Sequence, residues 1–479
     1  MIMNMTMKPW RSGVTAITIA TATLISACAP LRVVGPDYAG PEPAKAVAGK
    51  WQAALPHGAN NGSLRDWWQQ LNDPVLVTLV DAAQKESATV VQAQARVTQA
   101  RGTLIAAGAA VQPITDLSTG TNRSALSFGG PVFLRTLSQV QVQSSWEIDL
   151  FGGNRRDREA AQARVDARQA DWHDARVAIA AETASNYLQL RFCELQVALL
   201  ESDLASRRET ARLTDLSAKA GFQAPANAAL TQAGASDSAS RLINQRTDCD
   251  VLIKALVALT ALDEQALRTQ LASKRATLPV PASFDIVAVP AQLLTQRPDL
   301  AAAERDLAAA SADIGSAEAT RYPKLSLTGS ITPFIATSAG QTLRSVTWSI
   351  GPTLSLPLYD GGRRVANLET AKANYQSAEA AFRSKARNAV REVEEALLRL
   401  ASANERQADT KAAADGYRSN LEATSSRFRV GLGSALEQEE SRRLSLTADA
   451  NLIALQRDRV SSWITLYRAM GGGWTVATN

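Results

Sequence analysis

Three stretches of the chain alternate between apolar and polar residues. Val140, Val142, Ser144, Trp146, Ile148 and Leu150 interleave with Gln139, Gln141, Gln143, Ser145, Glu147 and Asp149. Val346, Trp348, Ile350, Pro352, Leu354, Leu356 and Leu358 do the same against Thr347, Ser349, Thr353 and Ser355. Leu325, Leu327, Ile331 and Ile335 alternate with Ser326, Thr328, Ser330 and Thr332. Period 2 predicts strands with one apolar and one polar face, a pattern that a soluble sandwich shares. Runs of about ten residues or more, interfacial aromatics and a polar face of Gln, Ser and Thr suit a barrel with lipid outside and water inside. A fourth strand is expected near Asp116–Phe128, where alternation is poor.

Elsewhere the period lengthens to 3.5. Leu188, Phe192, Leu195 and Leu199 step by four, three and four, and Leu368, Ala371, Tyr375, Ala378 and Phe382 by three and four in turn. Leu446, Ala450, Ile453, Arg457, Val460, Ile464 and Tyr467 keep that stepping. These are coiled-coil seams. From Asp157 to Lys219 no Gly or Pro interrupts, so one helix of roughly 95 Å is predicted, too long to fold back into a compact domain. Gly221 to Pro225 ends it, a second helix returns from Ala226 to Leu259, and Gly431 with Gly433 makes a matching break later.

The chain repeats itself. Asp149-Leu150-Phe151-Gly152-Gly153-Asn154-Arg155-Arg156 resembles Leu358-Tyr359-Asp360-Gly361-Gly362-Arg363-Arg364, with the arginine pairs 208 residues apart. Ala220-Gly221-Phe222 against Val430-Gly431-Leu432, and Gln112-Pro113 against Tyr322-Pro323, are each 210 apart. A period this long implies two copies of one large unit rather than a solenoid. Each unit reads helix, strand, loop, strand, long helix, tip, returning helix. Four strands cannot close a barrel, and lipid tolerates no open sheet edge, so the chain must oligomerise to exist in a membrane.

Composition narrows the function. The 479 residues carry a net charge of +5, too mild and too dispersed for a nucleic-acid binder. Aromatics are 5% against 46% hydrophobic residues, much of it alanine, which favours closely packed helices. Two histidines (His57 and His173) and three cysteines leave little for a metal site, and no nucleophile elbow or nucleotide loop is present. No cofactor and no enzymatic activity are expected. Lys8 and Arg11 precede the apolar Gly13–Leu24, and Leu24-Ile25-Ser26-Ala27-Cys28 matches a lipoprotein signal, whose cysteine takes a diacylglycerol and an N-acyl chain. The alternative is an ordinary secretory signal with an incidental cysteine. Ala29 and Pro30, rather than aspartate, follow Cys28, which favours sorting to the outer membrane of a Gram-negative cell.

Cys193 and Cys249 each lie 28 residues from Gly221, so an antiparallel hairpin turning there brings them to one height. A disulfide and a pair of buried thiols are both compatible with that. Gly152-Gly153 and Gly361-Gly362 sit between strand and helix; a sharp bend explains them better than phosphate binding. Arg155 and Arg363 oppose the helix dipole that follows, and lipid head groups are one candidate partner.

Asp66-Trp67-Trp68 with Asp73-Pro74-Val75-Leu76, then Leu150-Phe151-Gly152-Gly153, Leu294-Thr295-Gln296-Arg297-Pro298-Asp299-Leu300, Tyr322-Pro323, Tyr359-Asp360-Gly361-Gly362-Arg363-Arg364 and Val430-Gly431-Leu432 follow in order along the chain. In these motifs the sequence resembles the outer membrane factors of tripartite RND-type efflux systems, the TolC/OprM-like channels, and most of all the nodulation T branch of lipoproteins. Gln112-Pro113 lacks the aromatic usual there, and Phe222-Gln223-Ala224-Pro225 is an unusual first tip.

The resemblance implies an α+β fold: a transmembrane β-barrel, four strands per chain and twelve in a homotrimer, continuing into a coiled-coil periplasmic tunnel. It implies a periplasmic adaptor and an inner membrane RND-type pump as partners. The chain then divides into a signal peptide at 1–27, a lipidated extension and equatorial segment at 28–75, a first repeat at 76–260, an equatorial linker at 261–289, a second repeat at 290–470 and a tail at 471–479. Glu437 and Glu440, at i and i+3 on one helix face, fall where the family's acids line the closed periplasmic aperture. Six carboxylates near one axis attract cations and raise one another's pKa; a solvated face beside Glu439, Arg442 and Arg443 is the plainer reading. Gly221, Phe222, Gly431 and Leu432 mark the tips on which the adaptor docks. The expected function is a passive efflux duct for drugs or other small toxic solutes. A protein-secretion duct and a structural coiled-coil envelope lipoprotein are the alternatives.

Overall fold

The computed structural model describes residues 33–40, 67–127, 132–280 and 297–474. The signal peptide, Cys28, His57, Asp66 and Leu294-Thr295-Gln296 lie outside the described residues. After a single 3-10 turn at Gln69–Leu71 come α1 (Pro74–Glu86), α2 (Ala88–Ala109), β1 (Ile114–Leu126), β2 (Phe133–Ile148), α3 (Gly153–Lys219), α4 (Pro225–Thr260) and α5 (Glu264–Ala272). Then follow α6 (Pro298–Ala319), β3 (Lys324–Ser338), β4 (Gln341–Ser355), α7 (Arg363–Glu405), α8 (Gln407–Arg429) and α9 (Ala435–Ala469). None of the described helices is long and apolar enough to cross a membrane.

The contacts separate two compact units. One holds residues 1–40, 99–165 and 306–379, with all four strands in an antiparallel sheet of order β1-β2-β3-β4. Its register aligns apolar residues in rows: Leu117, Val142, Ile331 and Trp348 stand side by side across the four strands, and Trp146, Leu327 and Pro352 across three. The other face is polar, with rows Asp116, Gln143, Ser330, Ser349 and Ser118, Gln141, Thr332, Thr347. The Ser330 and Ser349 hydroxyls bond at 3.0 Å. The apolar side chains are exposed, Trp348 by 74%, and among the described residues β1 and β4 each leave an edge without a partner strand. Ala339 and Gly340, both at positive φ, form the tight β3–β4 turn.

In this unit Val33–Gly40 is strapped down. Val34 N donates to Phe151 O at 3.1 Å. Buried Arg156 donates to Val34 O and Gly35 O, and to Asp37 at 2.6 Å and Glu159 at 2.8 Å. A Cβ on Gly152 would meet Val33 at 2.5 Å, and one on Gly35 would meet the Gly315 backbone at 2.3 Å, so these glycines let the strap approach closely. The bend motifs cap themselves: Asp149 accepts from Arg155 N at 2.8 Å, and Asp360 from Gly362 N and Arg364 N. A side-chain carboxylate therefore occupies the donors that a phosphate would need.

The second unit holds residues 41–98, 166–305 and 380–479. Its core stacks Trp67 on Trp463, ring centroids 4.2 Å apart, with Trp68 against Tyr467 at 4.6 Å. The Asp-Pro-Val-Leu motif is a helix start. Asp73 caps α1 by accepting from Val75 N and Leu76 N, Pro74 takes the first helical position, and Asp73 also accepts from the Tyr187 hydroxyl. Burial, with Asp73 alongside, pushes the Tyr187 phenol well above its usual range. The Arg-Pro-Asp-Leu motif is a tie. Arg297 donates to Asp299, to Glu392 at 2.9 Å and to Ala469 O at 2.9 Å, joining α6, α7 and the end of α9. One expectation needs correcting. The second repeat's long helix is not continuous but pauses at Arg406, between α7 and α8.

Candidate functional site

Both hairpin tips fold alike. Gly221 N donates to Ala218 O and Phe222 N to Ser217 O, at 3.0 and 2.9 Å. Gly431 N donates to Phe428 O and Leu432 N to Arg427 O, at 3.0 and 2.8 Å. This pair of bonds, closed by a residue at positive φ (81° at Gly221, 76° at Gly431), is the Schellman ending. The residue after each glycine is apolar and bare: Phe222 is 84% exposed and Leu432 73%. The tips differ in how the next helix begins. Ser434 caps α9 by accepting from Glu437 N, whereas α4 begins at Pro225 with no side-chain cap.

Cys193 on α3 and Cys249 on α4 are bonded, with Cα atoms 5.6 Å apart, and tie the first hairpin across 56 residues. On loop-closure grounds such a bond contributes about 4 kcal/mol. Reduction, or Cys193→Ser with Cys249→Ser, is expected to lower the thermal midpoint of this hairpin without altering the second. Circular dichroism melts with and without reductant measure it; identical melts would contradict the contribution.

The predicted gate acids do not share one environment. Glu437 pairs with Arg427 across the second tip at 2.9 Å. Glu440 pairs with Arg443 one turn along its own helix. In the single chain the Glu440 carboxyl is held below its ordinary range by its hydrogen bond to Arg443, the opposite of the rise expected from mutual repulsion. The nearest partner is a cation, not another acid. A groove of about 730 Å³ runs between α4 and α9, lined by Asn227, Leu230, Leu436, Glu439, Glu440 and Arg443 among others.

Behind this groove lies a cluster that the pattern of the sequence leaves hidden among ordinary helix charges. Arg442 is only 3% exposed, which the alternative of a solvated face does not provide for. It donates to Glu439 on its own helix and lies 3.4 Å from the Thr210 hydroxyl on α3. Arg207 on α3 reaches Glu439 at 2.7 Å and holds Asp203 at 2.9 Å, and Asp203 accepts from Ser238 of α4 at 2.7 Å. Burial lowers the Arg442 pKa from its ordinary value despite the opposing pull of Glu439 and Asp203. Two cations and two anions thus clasp the second hairpin to the first. Gln438, Ser441, Ser445 and Ala448 are buried beside Arg442 at steps of three and four, but these small and polar residues make no apolar seam that a sequence reading would pick out.

A sheet with one apolar and one polar face, two unpaired edges, duplicated long helices and matched hairpin tips defines a channel-forming outer membrane protein. The sequence fits the family described as outer membrane efflux protein over residues 79–263 and 289–472, and the chain belongs to that family. It is 30% identical to nodulation protein T of Rhizobium leguminosarum bv. viciae, over 94% of this chain and 92% of that one. It is 31% identical to outer membrane protein OprJ of Pseudomonas aeruginosa, over 96% of each. The solved structure of the outer-membrane channel OprN matches at 26% identity with a TM-score of 0.83, covering 92% of this chain and 99% of that one. The protein is therefore an outer membrane efflux channel, an internally duplicated barrel-and-coiled-coil chain that extends into the periplasm.

Proposed function

We propose that the protein acts as a homotrimer, a passive exit duct for drugs or other small toxic solutes, fed by a periplasmic adaptor and driven by an inner membrane RND-type pump. The observation that carries this is the four-stranded sheet with an apolar face and two open edges. Three copies joined edge to edge give twelve strands and leave no backbone group unpaired in lipid. Each β4 meets the next chain's β1, the polar rows line the lumen, and the apolar rows face the bilayer.

The adaptor reads the tips, where exposed Phe222 and Leu432 offer apolar contacts at the ends of equivalent turns. Glu437 and Glu440 supply the charge near the periplasmic opening, drawn from the second repeat alone because the first has Asn227 at the matching place. Cys28 carries the diacylglycerol and N-acyl chain that anchor the N-terminus. Four residues separate it from Val33, where the strap meets the sheet's helical end, so its Cα lies within five steps, a reach of at most ~18 Å.

Native mass spectrometry and planar-bilayer conductance of the detergent-purified protein test this. A trimer giving small, cation-preferring steps is expected, with larger steps when Glu437 and Glu440 are replaced by Gln. A monomer, or a trimer that conducts nothing, would return the choice to the structural tether. Cys28→Ala is expected to abolish acylation, read as loss of incorporated palmitate; persistent label would place the lipid elsewhere.

A further inference from the structure

We infer that Arg123 and Arg344 form an anion-binding collar for the phosphates of the outer-leaflet glycolipid, an inference that rests on the trimeric barrel proposed above. Register puts both on the apolar, lipid-facing side. Arg344 stands in the row Thr121, Ser138, Ile335, and Arg123 in the row Thr136, Thr337, Thr342. Along β4 the lipid-facing positions run Leu354, Pro352, Ile350, Trp348, Val346 and then Arg344.

From Leu354 to Arg344 is ten residues. At ~3.4 Å each and a tilt of ~40°, that is about 26 Å along the membrane normal, the height of an outer membrane apolar band. Arg344 therefore emerges at the end of the hydrocarbon, on the side away from the helices. On β1, Arg123 lies six residues beyond Leu117, roughly 15 Å further along the normal in the same direction. Hydroxyl-bearing residues fill the rest of the Arg123 row, and two of the three other positions of the Arg344 row, where Ile335 is the exception.

A guanidinium at that depth is placed to bind phosphate. It is planar, permanently charged and matched to bidentate oxyanion contact. Both side chains are exposed. They sit on the two edge strands, so closing the barrel sets the Arg344 strand of one chain against the Arg123 strand of the next, at three seams. Arg135 provides the built-in control. It lies at the same end of β2, but its row, Ser124 and Ser338, faces the lumen.

The test is the lipopolysaccharide retained per trimer, measured by mass spectrometry of protein purified from outer membranes in mild detergent. The Arg123→Gln/Arg344→Gln pair is expected to retain less by at least about fivefold, and Arg135→Gln the wild-type amount. Unchanged retention in the pair, or an equal loss in Arg135→Gln, would overturn the collar. Where the pair does not assemble, the single Gln variants read the same ratio. Delipidated wild type should rebind intact but not dephosphorylated lipopolysaccharide; equal rebinding would overturn the phosphate assignment. Native mass is recorded on each sample, and a monomeric wild type would fail the trimer reading itself, separately from the collar.

Discussion

Arg442→Ala is expected to open the periplasmic end and to destabilise the chain at once. Removing this guanidinium leaves Glu439 and Asp203 with Arg207 as their one remaining cation in the cluster. Breaking a buried ion pair from one side costs about 3–5 kcal/mol, because the surviving charge stays desolvated. That cost falls on the arrangement in which α9 is held against α3, and an arrangement with the second hairpin displaced lets water reach the carboxylates. Conductance should rise severalfold, and the thermal midpoint should fall.

The double variant Glu439→Gln/Arg442→Met separates the two effects. It removes one charge of each sign and leaves Arg207 with Asp203, so most of the lost stability should return. The ion pair from Arg207 to Glu439 is gone, however, leaving at most a hydrogen bond to a neutral amide across the hairpins, so conductance should stay high. Wild-type conductance from an intact Arg442→Ala trimer would show that the cluster is structural packing and not a latch.

The sheet was legible because three strands alternate with period 2 and set a polar face rich in Gln, Ser and Thr against an apolar one. β1 was the exception for a visible reason. Its lipid-facing positions are Thr115, Leu117, Thr119, Thr121, Arg123 and Ala125, and one leucine among threonines and an arginine carries almost no alternation. Its place comes from pairing with β2 instead. The tips were legible from glycine alone, since Gly221 and Gly431 stand where positive φ is required.

The clasp was not legible. Glu439 and Arg442 at i and i+3 look like any solvated pair, and what distinguishes them is Arg207, 232 residues away in sequence. The strap escaped notice likewise. Val33, Val34 and Gly35 form no pattern, and the need for Gly152 appears only when Val33 lies against it. Contacts between the two repeats, and between either repeat and the N-terminal extension, leave no periodic trace within one segment.

Neighbouring residues on β4 should respond oppositely to the same substitution. Trp348 lies in the apolar row with Leu117, Val142 and Ile331, near the middle of the apolar band, and Ser349 lies in the polar row with Asp116, Gln143 and Ser330. Arginine at a lipid-facing position near the bilayer midplane costs about 2–4 kcal/mol per copy, so three copies lose roughly 6–12 kcal/mol. Trp348→Arg should therefore fail to accumulate as trimer in the outer membrane. Ser349→Arg puts its charge into water beside Ser330 and should assemble, with its cation preference reduced by three added positive charges in the lumen. Trimer yield from membranes and reversal potentials in a salt gradient measure the two outcomes. Equal tolerance of both substitutions would mean that the sheet does not separate lipid from water, and the barrel reading would fall with it. Failure of Ser349→Arg alone would reverse the faces, because the pleat allows only two assignments and a one-residue slip exchanges them.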